Sequence, residues 1–173
     1  QQERHQYNME GLFSPHRLPE NTESGSRWIG RFFLTEMEGK TMAVSAPALM
    51  EAYVQLKLKT PASMIPLLVS EPFQAKLVKK EALEKLLACG FELEYLGPET
   101  IVLRSIPEWM NGFPLKEAVS SLLYGNPLSQ IAINPADWSQ AAWEEMLNAL
   151  SGHELASSRI MVNLEELLKE KLR

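Results

Sequence analysis

The chain has 173 residues, of which 45% are hydrophobic and 23% charged, a composition typical of a globular protein with a buried core. Its formal net charge of −5 argues against strong binding to a nucleic-acid backbone by this chain alone. The single cysteine excludes an internal disulfide, and the three histidines show no metal-ligand spacing. The sequence has no glycine-rich phosphate-binding loop, signal peptide or long apolar run, so we predict a cytoplasmic protein without a cofactor.

The N-terminal segment differs in composition from the rest of the chain. Residues 1–26 are polar, contain proline and glycine, and show no apolar periodicity, which predicts a disordered linker tail. Because the chain opens with Gln inside this segment, we expect it to be part of a larger protein with a preceding domain.

The first ordered element is predicted at residues 28–34, WIGRFFL, as a strand with apolar residues on both faces. Both faces of such a strand need cover. Residues 41–45 are predicted as its antiparallel partner. Residues 46–58 are predicted as an amphipathic helix, with Pro47 in the first turn, where a missing N–H costs least.

The middle of the chain is predicted as a βαββ block. The strand, the helix and the two following strands are predicted over residues 64–69, 75–89, 91–96 and 101–106. Gly90 ends the helix, and the next strand alternates with Phe91, Leu93 and Tyr95 inward, which predicts a sheet with one solvated face. We interpret the block as a small subdomain inserted into another.

The last third is predicted to be mostly helical. Helices are expected over residues 115–123, 134–150 and 164–172, with a short strand over 159–163. Asn134 and Pro135 have the residue types of an N-cap and a first helical residue.

Few side chains are candidates for chemistry. Cys89 lies on the apolar side of a predicted helix without a base partner, which favours a small buried residue over a nucleophile. Adjacent acids on a helix point in different directions, so no catalytic residue and no metal ligand is assigned. Lys76, Lys79 and Lys80 form a basic stretch that is either a solvated helix face or a weak DNA contact.

The surplus of apolar residues is more informative. The two-sided first strand, the four tryptophans and the leucines of the last helix either fill one core or meet a second copy of the chain. For the second alternative, we place the dimer interface at Trp28, Ile29, Phe32 and Phe33.

The order of these motifs resembles the C-terminal dimerisation domain of the MutL mismatch-repair family. The strand MIPLLV, the segment EALEKLLACGFELEYLG, the strand IVLRSIP and the final VNLEELLKEKL carry the resemblance, which covers about residues 28–173. It implies that a GHKL-type ATPase domain precedes this one, joined by a long polar linker.

Many members of that family carry a metal-dependent nicking endonuclease, marked by DQHAxxExxxxE. The matching stretch here is SAPALMEAYVQL. Of the acidic and histidine positions of the motif only Glu51 agrees, while Ser45, Pro47 and Leu56 replace the Asp, the His and the second Glu. The resemblance therefore implies the non-nicking bacterial branch.

A sliding-clamp peptide of the form QxxLxP or QxxIxP is a second feature of the family. The matching run here is PASMIP, in which Met64, Ile65 and Pro66 form a degenerate motif. Clamp binding and an ordinary entry into a strand remain equal alternatives.

We predict an α+β protein of two subdomains. Residues 27–63 and 112–173 form an outer dimerisation subdomain, and residues 64–111 form an inserted regulatory one. The resemblance implies a homodimeric scaffold that holds two ATPase domains in a DNA clamp. It also implies that the scaffold relays mismatch recognition from a mismatch sensor to a separate nicking enzyme and a helicase.

Two alternatives stay open. One is a nicking endonuclease with a divergent metal site around Glu51, to which folding brings His153 or Glu154. The other is a regulatory domain whose βαββ block binds a ligand or a peptide, which an enclosed polar pocket in that block would favour.

Overall fold

The computed structural model describes residues 27–131, 138–150, 152–157 and 160–172. The strands are β1 (Arg27–Ile29), β2 (Phe32–Met37), β3 (Lys40–Ser45), β4 (Met64–Gln74), β5 (Glu92–Tyr95), β6 (Thr100–Pro107) and β7 (Met161–Asn163). The helices are α1 (Ala46–Lys57), α2 (Lys80–Ala88), α3 (Leu115–Tyr124), α4 (Gln140–Ala149), α5 (Gly152–Ser157) and α6 (Leu164–Lys171). No described helix has the length and apolar character of a membrane span. The fold is α+β, as predicted.

The first sheet has four antiparallel strands in the order β1-β2-β3-β7. Its long hairpin, β2–β3, turns at Glu38 and Gly39, whose φ angles are 52° and 72°. Two successive residues with positive φ form the tight turn that suits the right-handed twist of paired strands. The predicted pairing of residues 41–45 with the preceding strand is confirmed.

The prediction of one strand over residues 28–34 is wrong. The segment is a hairpin in which β1 ends at Ile29 and β2 begins at Phe32, which is also the Cα partner of Ile29. Gly30 has a φ of 59° and allows the chain to reverse there. A glycine within an apolar run is compatible with a bend in one strand and with a turn between two strands. The sequence pattern alone therefore does not distinguish a single strand from a hairpin.

The second sheet has three antiparallel strands in the order β4-β6-β5. The expectation of one solvated face is wrong for its central strand, because every residue of β6 from Ile101 onward except Arg104 is buried. Arg104 pairs with Glu94, and the Ser105 hydroxyl donates to the Glu92 carboxylate, so each contact joins β6 to the edge strand β5. Tyr95, predicted to face inward, is 58% exposed at the end of edge strand β5.

Two helices begin later than predicted, and two are followed by a glycine with a positive φ. Residues 75–77 form a single 3-10 turn, and α2 starts only at Lys80. It ends at Ala88, Gly90 follows with a φ of 95°, and the Phe91 N–H donates to the Leu86 carbonyl. Helix α4 starts at Gln140 with Ser139 as its N-cap, and the predicted start at residues 134 and 135 lies outside the described residues. Gly125 follows α3 in the left-handed conformation.

One hydrophobic core runs through both sheets. It includes Phe33 and Val44 from the first sheet, Leu103 and Ile106 from the second, and Trp143 from α4. The predicted inserted block therefore shares its core with the rest of the chain. The division into two subdomains stays a prediction.

Candidate functional site

The four-stranded sheet has one face covered by its own chain. Phe33 and Val44 are Cα partners on β2 and β3, so their side chains share a face, and they are 3% and 0% exposed. The Phe33 ring centroid lies 6.0 Å from that of Trp143 on α4. This face is the inner one.

The opposite face of the sheet is apolar and open. Leu34, Ala43 and Val162 lie directly across from one another on β2, β3 and β7, so they form a row. Phe32 is on the same face as Leu34, because alternate residues of a strand share a face. Phe32 is 45% exposed and Val162 is 39% exposed, so two large apolar side chains of this face are in contact with solvent.

Helix α6 extends this surface into a groove. Leu164 and Leu167, with the sheet residues Phe32, Leu34, Ala43 and Val162, line a groove of about 290 Å³, and all of these side chains are apolar. Leu168 and Leu172 continue the apolar stripe and are 55% and 84% exposed. We call the eight residues together the outer face.

Local sequence explains why α6 lies here. Strand β7 pairs with β3 through Met42 and Asn163, which places the start of α6 at the edge of the sheet. The Asn163 Oδ1 accepts the N–H groups of Glu165 and Glu166, at 3.0 and 3.4 Å, and so caps the helix. Leu164, Leu167, Leu168 and Leu172 then recur at helical spacing.

Exposure of this face is energetically unfavourable for a single chain. Complete burial of a side chain such as Val, Leu or Phe is worth about 1.5–3 kcal/mol relative to its exposure. Several such side chains lie side by side here, which is the property of an interface rather than of scattered surface residues.

The comparison with protein families identifies the fold. The model of the MutL C-terminal dimerisation domain matches residues 29–155 of the chain. The chain belongs to this family. The MutL domain described here therefore has a dimerisation role in DNA mismatch repair, as predicted. No curated protein matches the chain.

The predicted interface residues lie in different places in this MutL domain. Phe32 lies on the outer face, but Phe33 is buried against Trp143 and belongs to the core, so its assignment to the interface is corrected. Trp28 and Ile29 lie in β1, and the surroundings of their side chains are outside the described part of the chain. Leu34, Ala43 and Val162 were not singled out, although the alternation around Phe33 signals an outward Leu34.

Glu51, the residue that matches the endonuclease motif, has a contact within the fold. It is half-buried on α1, and its carboxylate accepts the Ser129 N–H at 3.3 Å. Glu154 lies on α5, and the side chain of His153 is outside the described residues. Among the described residues no three His, Cys, Asp or Glu side chains are grouped so that they could share a metal ion.

Cys89 is buried, as predicted. It is 5% exposed, and its Sγ–H donates to the Leu58 carbonyl at 3.0 Å. The thiol therefore joins the end of α2 to the end of α1. It behaves as a small apolar residue with a weak donor.

The two predicted contact sites for other molecules are at the surface. Lys76, Lys79 and Lys80 are exposed, and the Lys80 ammonium lies 3.8 Å from the Glu84 carboxylate. Met64 and Pro66 are exposed and Ile65 is half-buried, and all three are paired with β6 at the start of β4. A clamp peptide at this position would be part of a sheet.

Proposed function

We propose that the outer face is the dimer contact of this MutL domain. The observation that carries the proposal is the apolar groove between β2, β3, β7 and α6, in which every described lining residue is apolar. Two copies related by a two-fold axis would bury the same face on each other, because a two-fold dimer uses one patch twice. Such a contact needs about 800 Å² from each partner, so neighbouring residues would complete it.

Dimerisation at this face would act on domains that are not part of this chain. A stable C-terminal pair holds two tethered N-terminal ATPase domains at an effective concentration of order mM with flexible linkers. Their closure around DNA then becomes an intramolecular step. The proposed role is therefore that of a scaffold.

We assign the domain to the non-nicking bacterial branch of the family. The support is that Glu51 is the single acidic or histidine position of the endonuclease motif that this chain keeps, and that its carboxylate contacts the Ser129 N–H. In this proposal a mismatch sensor, a separate nicking enzyme and a helicase are the further partners, and the protein acts in the bacterial cytoplasm.

The proposed inserted regulatory subdomain, residues 64–111, would serve other contacts. Met64, Ile65 and Pro66 would be the contact for the sliding clamp, and Lys76, Lys79 and Lys80 a weak contact for DNA. Exposure of Met64, Pro66 and the three lysines supports this assignment.

Sedimentation of the purified chain tests the dimer proposal. We expect a dimer at micromolar concentration that Val162→Glu dissociates, because each copy would bury an unpaired carboxylate in the apolar contact at a cost of several kcal/mol. Leu68→Glu is the matched control, because Leu68 is fully exposed in β4 and is not among the described residues that line the groove. A Val162→Glu chain that remains dimeric, or a Leu68→Glu chain that dissociates as well, would contradict the assigned face.

A nicking assay tests the scaffold assignment. Supercoiled plasmid incubated with the chain and manganese is expected to stay intact. Robust nicking that Glu51→Ala abolishes would instead establish the divergent endonuclease.

A further inference from the structure

A second cleft of about 260 Å³ lies on another part of the domain and shares no residue with the outer face. It is bounded by α1, by the connection after β6 and by the start of α4. Its aromatic lining consists of Tyr53, Trp109, Phe113 and Trp138.

The four rings support one another. The Phe113 and Trp138 centroids are 4.7 Å apart at 76°, and those of Tyr53 and Trp109 are 6.1 Å apart at 83°. Trp109 and Phe113 also meet edge to face, at 6.1 Å. Contacts of this kind hold the rings in fixed positions, so the wall of the cleft is preformed. Aromatic walls attract cations because the face of each ring is electronegative.

The charge of the cleft is negative, which also favours a cation. Glu145 of α4 lines it and is the one ionised side chain among the described lining residues. Burial, and secondarily the Glu145 carboxylate, raise the pKa of Tyr53, so the field of this carboxylate reaches the ring cluster. Lys57 is not among the described lining residues. Its Nζ lies 5.4 Å from the Tyr53 ring centroid, so one ring of the cluster already makes a cation–π contact.

The cluster also contains a donor without an acceptor. Trp109 Nε1 is buried, and no described residue accepts its hydrogen. A buried donor left unpaired costs free energy, and a carbonyl oxygen would reach it only if the rings around it moved apart.

We propose that this cleft binds an arginine side chain presented by a partner polypeptide. The planar guanidinium stacks on aromatic rings and pairs with a carboxylate, which are the two features that the cleft combines. The carboxylate of Glu145 receives the guanidinium, and the rings of Trp138 and its neighbours hold its plane.

Titration of the ¹⁵N-labelled full chain with N-acetyl-arginine methylamide tests the proposal. We expect saturable shifts of the indole N–H signals of Trp109 and Trp138, assigned with Trp109→Phe and Trp138→Phe. The neutral isostere N-acetyl-citrulline methylamide should produce no saturable shift. Glu145→Gln is expected to weaken binding about fivefold, as for loss of an accessible ion pair.

Glu144→Gln is the matched control, because Glu144 is the adjacent acid of α4 and does not line the cleft. It changes the net charge equally and should leave the affinity within about twofold. The proposal is overturned if citrulline binds as well as arginine, if both variants weaken binding equally, or if no saturable shift occurs up to the solubility limit of the probe. Val162→Glu should bind the probe normally, which separates this result from the dimer proposal.

Discussion

Gly90 lies at a close approach of two backbone segments. A Cβ at this position would lie 2.7 Å from the Ala62 carbonyl oxygen. The φ of 95° is one that residues other than glycine rarely adopt. The position needs glycine for two independent reasons. The end of α2 can therefore pack directly against the segment that follows α1.

Gly90→Ala is expected to destabilise the domain by about 2 kcal/mol or more, because the strained backbone alone costs about 1–2 kcal/mol and the clash adds to it. Urea denaturation of the dimer-dissociated Val162→Glu background measures the loss. Gly97→Ala is the control, with a φ of 80° but no atom within 4 Å of the added Cβ. Equal losses in the two variants would show that the contact with Ala62 has no energetic consequence.

Single residues were predictable where local chemistry decides their role. Gly90 as a helix end and Cys89 as a buried thiol follow from their own neighbours. The roles of Phe32 and Phe33 do not, because alternation separates the two faces of a strand without indicating which one the chain covers. Only the packing of Trp143 against Phe33 decides this.

Helix α6 depends on its cap more than the longer helices do. It has eight residues, and isolated helices of that length are unstable in water. The Asn163 side chain satisfies two of the N–H groups at its start. Because α6 carries half of the outer face, loss of the cap should affect both folding and association.

Asn163→Ala is expected to cost about 1 kcal/mol of stability. It should also weaken the dimer, which sedimentation equilibrium would measure alongside thermal unfolding. Ser45→Ala is the comparison, since Ser45 is the N-cap of α1 but its hydroxyl makes no capping hydrogen bond. A loss for Ser45→Ala as large as that for Asn163→Ala would contradict the capping argument.

Elements were predicted well where periodicity and end signals agree. Helices α1, α3 and α6 and strand β7 follow from such patterns and lie within a few residues of their predicted bounds. Strand β4 runs to Gln74 and is longer than predicted. The sequence pattern missed its second half because the strand contains two prolines and its register with β6 shifts between Pro66 and Glu71. An edge strand tolerates both features, but neither resembles a regular strand in sequence.

Among the described residues one core joins the proposed inserted block to the rest of the domain. The Cys89 thiol donates to the Leu58 carbonyl, and the Glu108 N–H donates to the Ser63 carbonyl at 2.8 Å. Buried residues of both sheets belong to the same cluster. We therefore expect the described domain to unfold as one cooperative unit.

Dimerisation should make the thermal stability depend on protein concentration, because only the folded chain can associate. A tenfold increase in concentration is expected to raise the Tm of the wild-type chain by about 2 °C. The Tm of Val162→Glu should stay constant over the same range. Differential scanning calorimetry at several concentrations makes the comparison, and a constant wild-type Tm would contradict a folding-linked dimer.

The outer face could be predicted only in part. The sequence shows a two-sided first segment and surplus leucines at its other end, and these are the two halves of the groove. That they meet depends on β7 pairing beside β3, a contact between residues far apart along the chain. Pairings of this kind carry no local signal.

The position of β7 has a practical result for protein expression. The family match ends at residue 155, whereas β7 and α6 come after it. A fragment trimmed to the match would lack β7, so the N–H and C=O groups on that edge of β3 would be unpaired. An unpaired strand edge can pair with strands of other molecules. We therefore expect a protein that is shortened at that boundary to aggregate through strand pairing instead of forming a closed dimer.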